Sequence, residues 1–181
     1  MKTEDLIREL VELTYKNINE IQAFKELSID ELSRKQNNNS WSVLECIEHL
    51  NRYGDFYIPE IRSRIEKSKH KKSDNFKTGL LGDYFAKILL PKEKLNKMKT
   101  FSSMNPINSS LDKSVLDKFI YQQQQILKLL ETSSDTDLTK VKTSISISRF
   151  IKLRLGDTFR VVIYHNLRHV IQAKNVLNTW F

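Results

Sequence analysis

The chain has one cysteine, Cys46. It can form no internal disulfide, and a reducing, cytoplasmic setting is the expectation. Glycine and proline are scarce, four and three in 181 residues. All-β folds need many more turn formers, so the scarcity favours helices. No apolar run reaches the roughly 18 residues of a membrane span. The opening MKTEDLIREL carries Glu4 and Asp5 and lacks the apolar core of a secretory signal. Internal repeats and low-complexity tracts are absent. So are a glycine-rich phosphate loop, a Ser-His-Asp order and a paired-carboxylate motif.

What is present is an ordinary globular mixture, 39% hydrophobic and 29% charged, sized for one domain spanning 1–181. The net charge is +8. Much of the excess lies between Lys67 and Lys99, in KSKHKKSDNFKTG and PKEKLNKMK. Such a stretch can meet nucleic acid or anionic lipid. Here the lysines lack interleaved stacking aromatics or an arginine array, so a solvated surface is the reading and a nucleic-acid partner is not expected.

Apolar residues at Leu6, Leu10, Leu13, Ile18, Ile21 and Phe24 recur with helical spacing and predict a helix from Thr3, its cap, to about Leu27. The polar turn SRKQNNNS follows. Ser42 and Glu45 form a capping box for a second helix, with Trp41 placed to staple the first turn near Cys46. Pro59 should kink that helix. Residues 70–109 read as a long, irregular connection holding one short helix, LLGDYFAKILL. Ser110 is a candidate cap for a third long helix through Glu131. KVKTSISISRFIKLRL alternates like a strand but is isolated, so it reads as an extended connection. A last helix runs from about Asp157 to Thr179. The sum is an all-α fold, a four-helix bundle with a long, partly irregular crossover.

His165 and His169 stand four apart in YHNLRHVIQA. At about 100° per residue they fall within the apolar arc of the last helix, with Gln172 next along the stripe. Arg168 falls on the far side, where an exposed ion pair is the reading. Tyr164, Leu167 and Ile171 form an outer apolar strip there that suggests a homodimer contact. On the second helix His49 shares a stripe with Cys46, Tyr53 and Phe56. Three inward imidazoles on two helices are either packed core histidines or a three-nitrogen site for zinc, nickel or ferrous iron with a position left open. His70, among lysines, reads as exposed.

WSVLECIEHL followed much later by HNLRHVIQ resembles the DinB-like (YfiT-type) superfamily of metal-binding four-helix proteins. The sharp matches are Trp41, Ser42, His49, His165, His169 and Gln172. The resemblance implies that His49, His165 and His169 ligate a divalent metal ion, zinc or nickel foremost. Several relatives are bacillithiol S-transferases or mycothiol-dependent isomerases. The implied activity is therefore metal-dependent S-transfer from a low-molecular-weight thiol to an electrophile, or hydrolysis if water takes the thiol's place. The alternatives are a non-catalytic metal-binding stress-response module and a nucleic-acid-associating basic protein. Around the trio, Cys46 is a fourth ligand, a redox thiol or a buried small residue, Tyr53 a packed ring or a pocket wall and proton donor, and Gln172 a hydrogen-bond partner either for a ligating imidazole or for backbone.

Overall fold

A computed structural model describes residues 1–91 and 99–179. Among these, the helices are α1 (Thr3–Phe24), α2 (Ile29–Ser33), α3 (Val43–Glu66), α4 (Leu80–Leu89), α5 (Ser114–Thr132) and α6 (Leu155–Asn178). A hairpin of β1 (Lys142–Ile145) and β2 (Ser148–Arg154) precedes α6. The long helices α1 and α3 each pack on α5 and α6, giving the expected bundle. No described helix is long and apolar enough to cross a membrane.

Local chemistry explains most boundaries. Ser42 and Glu45 complete their capping box at the start of α3. Helix α2 escapes the sequence reading although Ser28 and Glu31 form the same box. Thr3 does not cap α1; the cap position is Lys2, and the Thr3 hydroxyl donates to the Ser73 carbonyl at 2.7 Å. Nor does Ser110 cap α5. That helix starts at Ser114, whose N–H donates to the Asp112 carboxylate at 2.8 Å. Helix α3 continues through Pro59. Helix α6 begins at Leu155, two residues before the expected start.

The segment expected to be merely extended forms a small antiparallel sheet, with Lys142 opposite Arg154 and Thr143 opposite Leu153. An isolated two-stranded hairpin is marginal in water, but this one docks on two helices. The Ser144 N–H donates to Glu60 at 2.7 Å, the Ser146 N–H to the Tyr57 hydroxyl at 3.4 Å, and Thr143 pairs with Thr158 of α6 at 2.6 Å. Ile145 and Leu153 face inward and are buried.

The core has two apolar clusters. One gathers Leu6, Leu10, Ile58, Ile61, Ile126, Leu130, Phe159 and Ile163. The other gathers Ile21, Phe24, Leu44, Ile47, Leu116, Phe119, Val170 and Ala173. Between them along the helices lies a belt of buried polar side chains: Thr14 and Asn17 of α1, Asn51 of α3, Gln122 and Gln123 of α5 and Asn166 of α6. Asn166 donates to Gln123 at 2.9 Å, Gln122 to the Asn51 carbonyl at 3.1 Å, and Asn51 to the Val115 carbonyl at 3.0 Å.

Of the lysine-rich stretch, residues 92–98 lie outside the described residues. The part up to Gly79 keeps its lysines and His70 in solvent but is tied down by its backbone. The Thr3 N–H donates to the Asp74 carbonyl at 2.9 Å and the Phe76 N–H to that of Met1 at 3.0 Å. Phe76 is buried against Gly156, where an added Cβ would stand 2.5 Å from the ring. A ring buried on all sides cannot retreat. Gly156→Ala should therefore cost about 1–3 kcal/mol, read as a lower urea midpoint with an unchanged slope; an unchanged midpoint would show that Phe76 repacks freely.

Candidate metal centre

Helices α3 and α6 run antiparallel past each other. His49, Tyr53 and Tyr57 occupy successive turns of α3; Val161, His165 and His169 do so on α6. The rings interleave: His165 lies 4.7 Å from Tyr53, and His169 lies 4.5 Å from His49 and 5.8 Å from Trp41. His49 and His165 ring centres are 5.0 Å apart, those of His165 and His169 4.6 Å. Each histidine offers one ring nitrogen within 4.8 Å of the others, and among the described residues this is the group of His, Cys, Asp and Glu side chains that could hold a metal ion.

Two of the three rings are oriented by a partner on the outer nitrogen. His49 Nδ1 lies 2.7 Å from the Met104 carbonyl, which can only accept, so Nδ1 carries the proton and Nε2 a lone pair. His169 Nδ1 lies 2.8 Å from Gln172 Oε1, with the same result. This is the outer-partner arrangement that fixes metal-binding imidazoles. The Nε2 atoms of His49 and His165 are 3.2 Å apart. Two nitrogens at about 2.0–2.1 Å from one tetrahedral ion stand about 3.3 Å apart. The donor set, and the spacing of this pair, therefore fit a divalent ion.

The electrostatics agree. Burial pushes His49 down to about 4. Burial, then the neighbouring imidazoles, hold His165 well below the usual histidine range, and burial followed by His49 does so for His169. All three rings are neutral at neutral pH, the form that binds metal.

The sequence profile of the DinB superfamily matches residues 14–173. The chain belongs to the DinB superfamily. No curated protein and no solved structure matches it. Within this DinB chain the match takes in both helices that carry the histidines, so the trio lies in the shared part of the sequence.

A cavity of about 820 Å³ opens onto the three histidines. Its walls come from the 36–41 loop, α3, α4, residues 99–107, the hairpin and α6. Tyr53 and Gln172 line it. Cys46 does not: it is buried among the apolar residues of the second cluster, its thiol is pushed up chiefly by burial, and it is not one of the trio's neighbours in reach. Trp41 does more than staple α3. Its ring covers His49 at 4.7 Å and His169, and its indole N–H donates to Asn105 at 3.1 Å.

The outward placement of Arg168 and Tyr164 on α6 of this DinB protein is corrected by the structure. Arg168 is not on an outer face; it is 4% exposed and lines the cavity. Tyr164 is likewise buried, its hydroxyl donating to Glu9 at 2.7 Å, and Leu167 and Ile171 are half-buried. The reason is common to both. Helix α6 packs on α1, α3 and α4 and on the hairpin, which leaves Arg168 and Tyr164 no outer face.

The Met104 carbonyl is the part of the site that sequence reasoning missed, since any residue supplies such an oxygen. It is delivered by a 3₁₀ turn, Ser102–Met104, that Arg52 clamps through the carbonyls of Asn105, at 3.0 Å, and Ser103, at 3.4 Å.

Gln172→Leu should weaken metal binding about 10–100-fold, measured by competition with a chromophoric chelator; equal affinity would show that the His169 ring is oriented otherwise. A second expectation concerns the metal-free protein. Unfolded, His49 takes up a proton near pH 6.5; folded, it does so near 4. The unfolded chain thus holds more protons between those values, so stability falls as pH drops through that window, by on the order of 3 kcal/mol from this residue. Urea midpoints at pH 7 and 4.5 should drop less in His49→Phe than in the unaltered chain; equal drops would remove the assignment.

Proposed function

We propose that the chain is a divalent-metal-dependent enzyme, holding zinc or nickel on His49, His165 and His169 and transferring a small thiol to an electrophile. The observation that carries this reading is a coincidence in space. Three neutral imidazoles converge where a cavity of about 820 Å³ reaches them. A purely structural ion is usually closed off by four protein ligands, whereas a catalytic one keeps a position for substrate. The buried Cys46 thiol lies outside the trio. The thiol itself is argued from the resemblance of the Trp-Ser and HxxxH motifs to those of thiol-dependent relatives.

When bound, the ion would act as a Lewis acid that lets a thiol ionise near neutral pH. The chain's own residues do the rest. Met104 and Gln172 hold two imidazoles with lone pairs inward. Trp41 and Tyr53 flank the rings. Burial raises the Tyr53 phenol to about 12, so it stays protonated and can donate a hydrogen bond to a departing group. In the reaction the thiol proton goes to solvent and sulfur bonds the electrophilic carbon. The leaving group departs with the electrons of its broken bond.

Elemental analysis of the purified protein should find about one divalent ion per chain, and His165→Ala should lose it while keeping its helical circular dichroism. Equal metal content in both would remove the site. With 1-chloro-2,4-dinitrobenzene and cysteine as probes, conjugation above the uncatalysed rate should vanish on chelation and fall about 100-fold in Tyr53→Phe; catalysed turnover that survives chelation would refute a metal-dependent transfer.

A further inference from the structure

The cavity is chemically divided, and the histidines mark the division. On α3, the residues of the wall that follow His49 are Tyr53 and Tyr57. Eight residues of helix carry this side about 12 Å from His49. On the antiparallel α6 the same direction leads from His165 back to Val162 and Val161. Phe85 and Leu89 of α4, with Ile145 and Leu153 of the hairpin, complete that end. It is a mainly apolar slot, with Ser146 and the hydroxyls of Tyr53 and Tyr57 as its polar groups.

In the opposite direction, α6 runs from His169 to Gln172 and Asn175, about 9 Å further along. Facing them are Asn39, Ser40 and Asn105. This end is rich in amides and a hydroxyl, with Trp41, Ile107 and Val176 set among them. The Gln172 and Asn105 side-chain oxygens already accept hydrogen bonds from His169, Trp41 and Ile107, so their amino groups are what they present to a ligand. Among the described residues no carboxylate lines the cavity; its charged side chains are Lys99 and Arg168. Among the described residues it offers an ammonium group no carboxylate to pair with.

We infer that the cavity holds two different molecules that meet at the three histidines: an alkyl or aromatic electrophile in the slot between α4, the hairpin and α6, and a hydrophilic, uncharged or anionic thiol against Asn39, Asn105, Gln172 and Asn175. This rests on the transfer reading above and deepens it by naming the two substrate classes. A hydrolase needs one organic substrate and water. Two cavity ends of opposite character, about equally far from one metal position, suit a reaction that joins two organic molecules. The slot sets selectivity by buried apolar area, which grows with each methylene of the substrate until the slot is full.

The test uses hydroxamates, which chelate through the head group and extend a chain of chosen length. Acetohydroxamate through octanohydroxamate are titrated into the zinc-loaded protein by calorimetry. Affinity should rise about fourfold per methylene. Val161→Asp should flatten the series while acetohydroxamate still binds; Ile88→Ser, on a second wall, should lower the slope if the first variant fails to fold. Asn175→Leu should weaken binding of L-cysteine severalfold and leave the alkyl slope intact. A flat series in the unaltered, zinc-loaded protein, with acetohydroxamate bound, overturns the two-class assignment and leaves the metal site standing. If acetohydroxamate does not bind the zinc-treated protein, the metal reading fails and takes this inference with it.

Discussion

The site depends on one hydrogen bond, from His49 Nδ1 to the Met104 carbonyl at 2.7 Å. It fixes which nitrogen of His49 faces the other two rings, and it joins the irregular 99–109 segment to α3. The segment is pinned at further points along the same helix. Arg52 holds the carbonyls of Ser103 and Asn105, Trp41 holds the Asn105 side chain, and the Glu45 carboxylate takes the Asn108 N–H at 2.6 Å. Glu45 is also the partner of Ser42 in the capping box and of Lys35 in an ion pair. One buried carboxylate thereby serves the start of the helix and the loop that orients its histidine.

The level at which the histidines sit is equally constrained. A bundle packed with apolar residues from end to end would offer nowhere to turn three imidazoles inward. Here the two apolar clusters are separated by a polar belt, and Asn166 follows His165 directly into it. The belt admits buried amides because they answer one another across helices. Asn17 and the side-chain oxygens of Asn51 and Gln122 have no protein partner among the described residues, and sites of this kind are where buried water is found. Gly54 makes room for this layer: a Cβ there would stand 2.1 Å from the Gln122 amide oxygen.

Helical spacing was enough to place His49, His165 and His169 on inward stripes, and the structure brings the three together. The capping box of α3 and the order of the four long helices were equally legible, because both are local patterns. What was illegible depends on non-local contacts. The hairpin exists because Glu60, Tyr57 and Thr158 receive it. Arg168 and Tyr164 looked exposed because a wheel assumes one buried face, whereas α6 is enclosed by α1, α3, α4 and the hairpin. The role of Met104 leaves no trace in side-chain chemistry, since its contribution is a backbone oxygen. Only α2 was missed despite a readable sign, the Ser28 and Glu31 box.

His49 and His165 are 116 positions apart. A nascent chain leaving the ribosome cannot bring the three histidines together until α6 has been made and has docked. Once formed, the centre would fasten an early helix to a late one across a very long loop, so that occupancy would act as a latch on the whole topology.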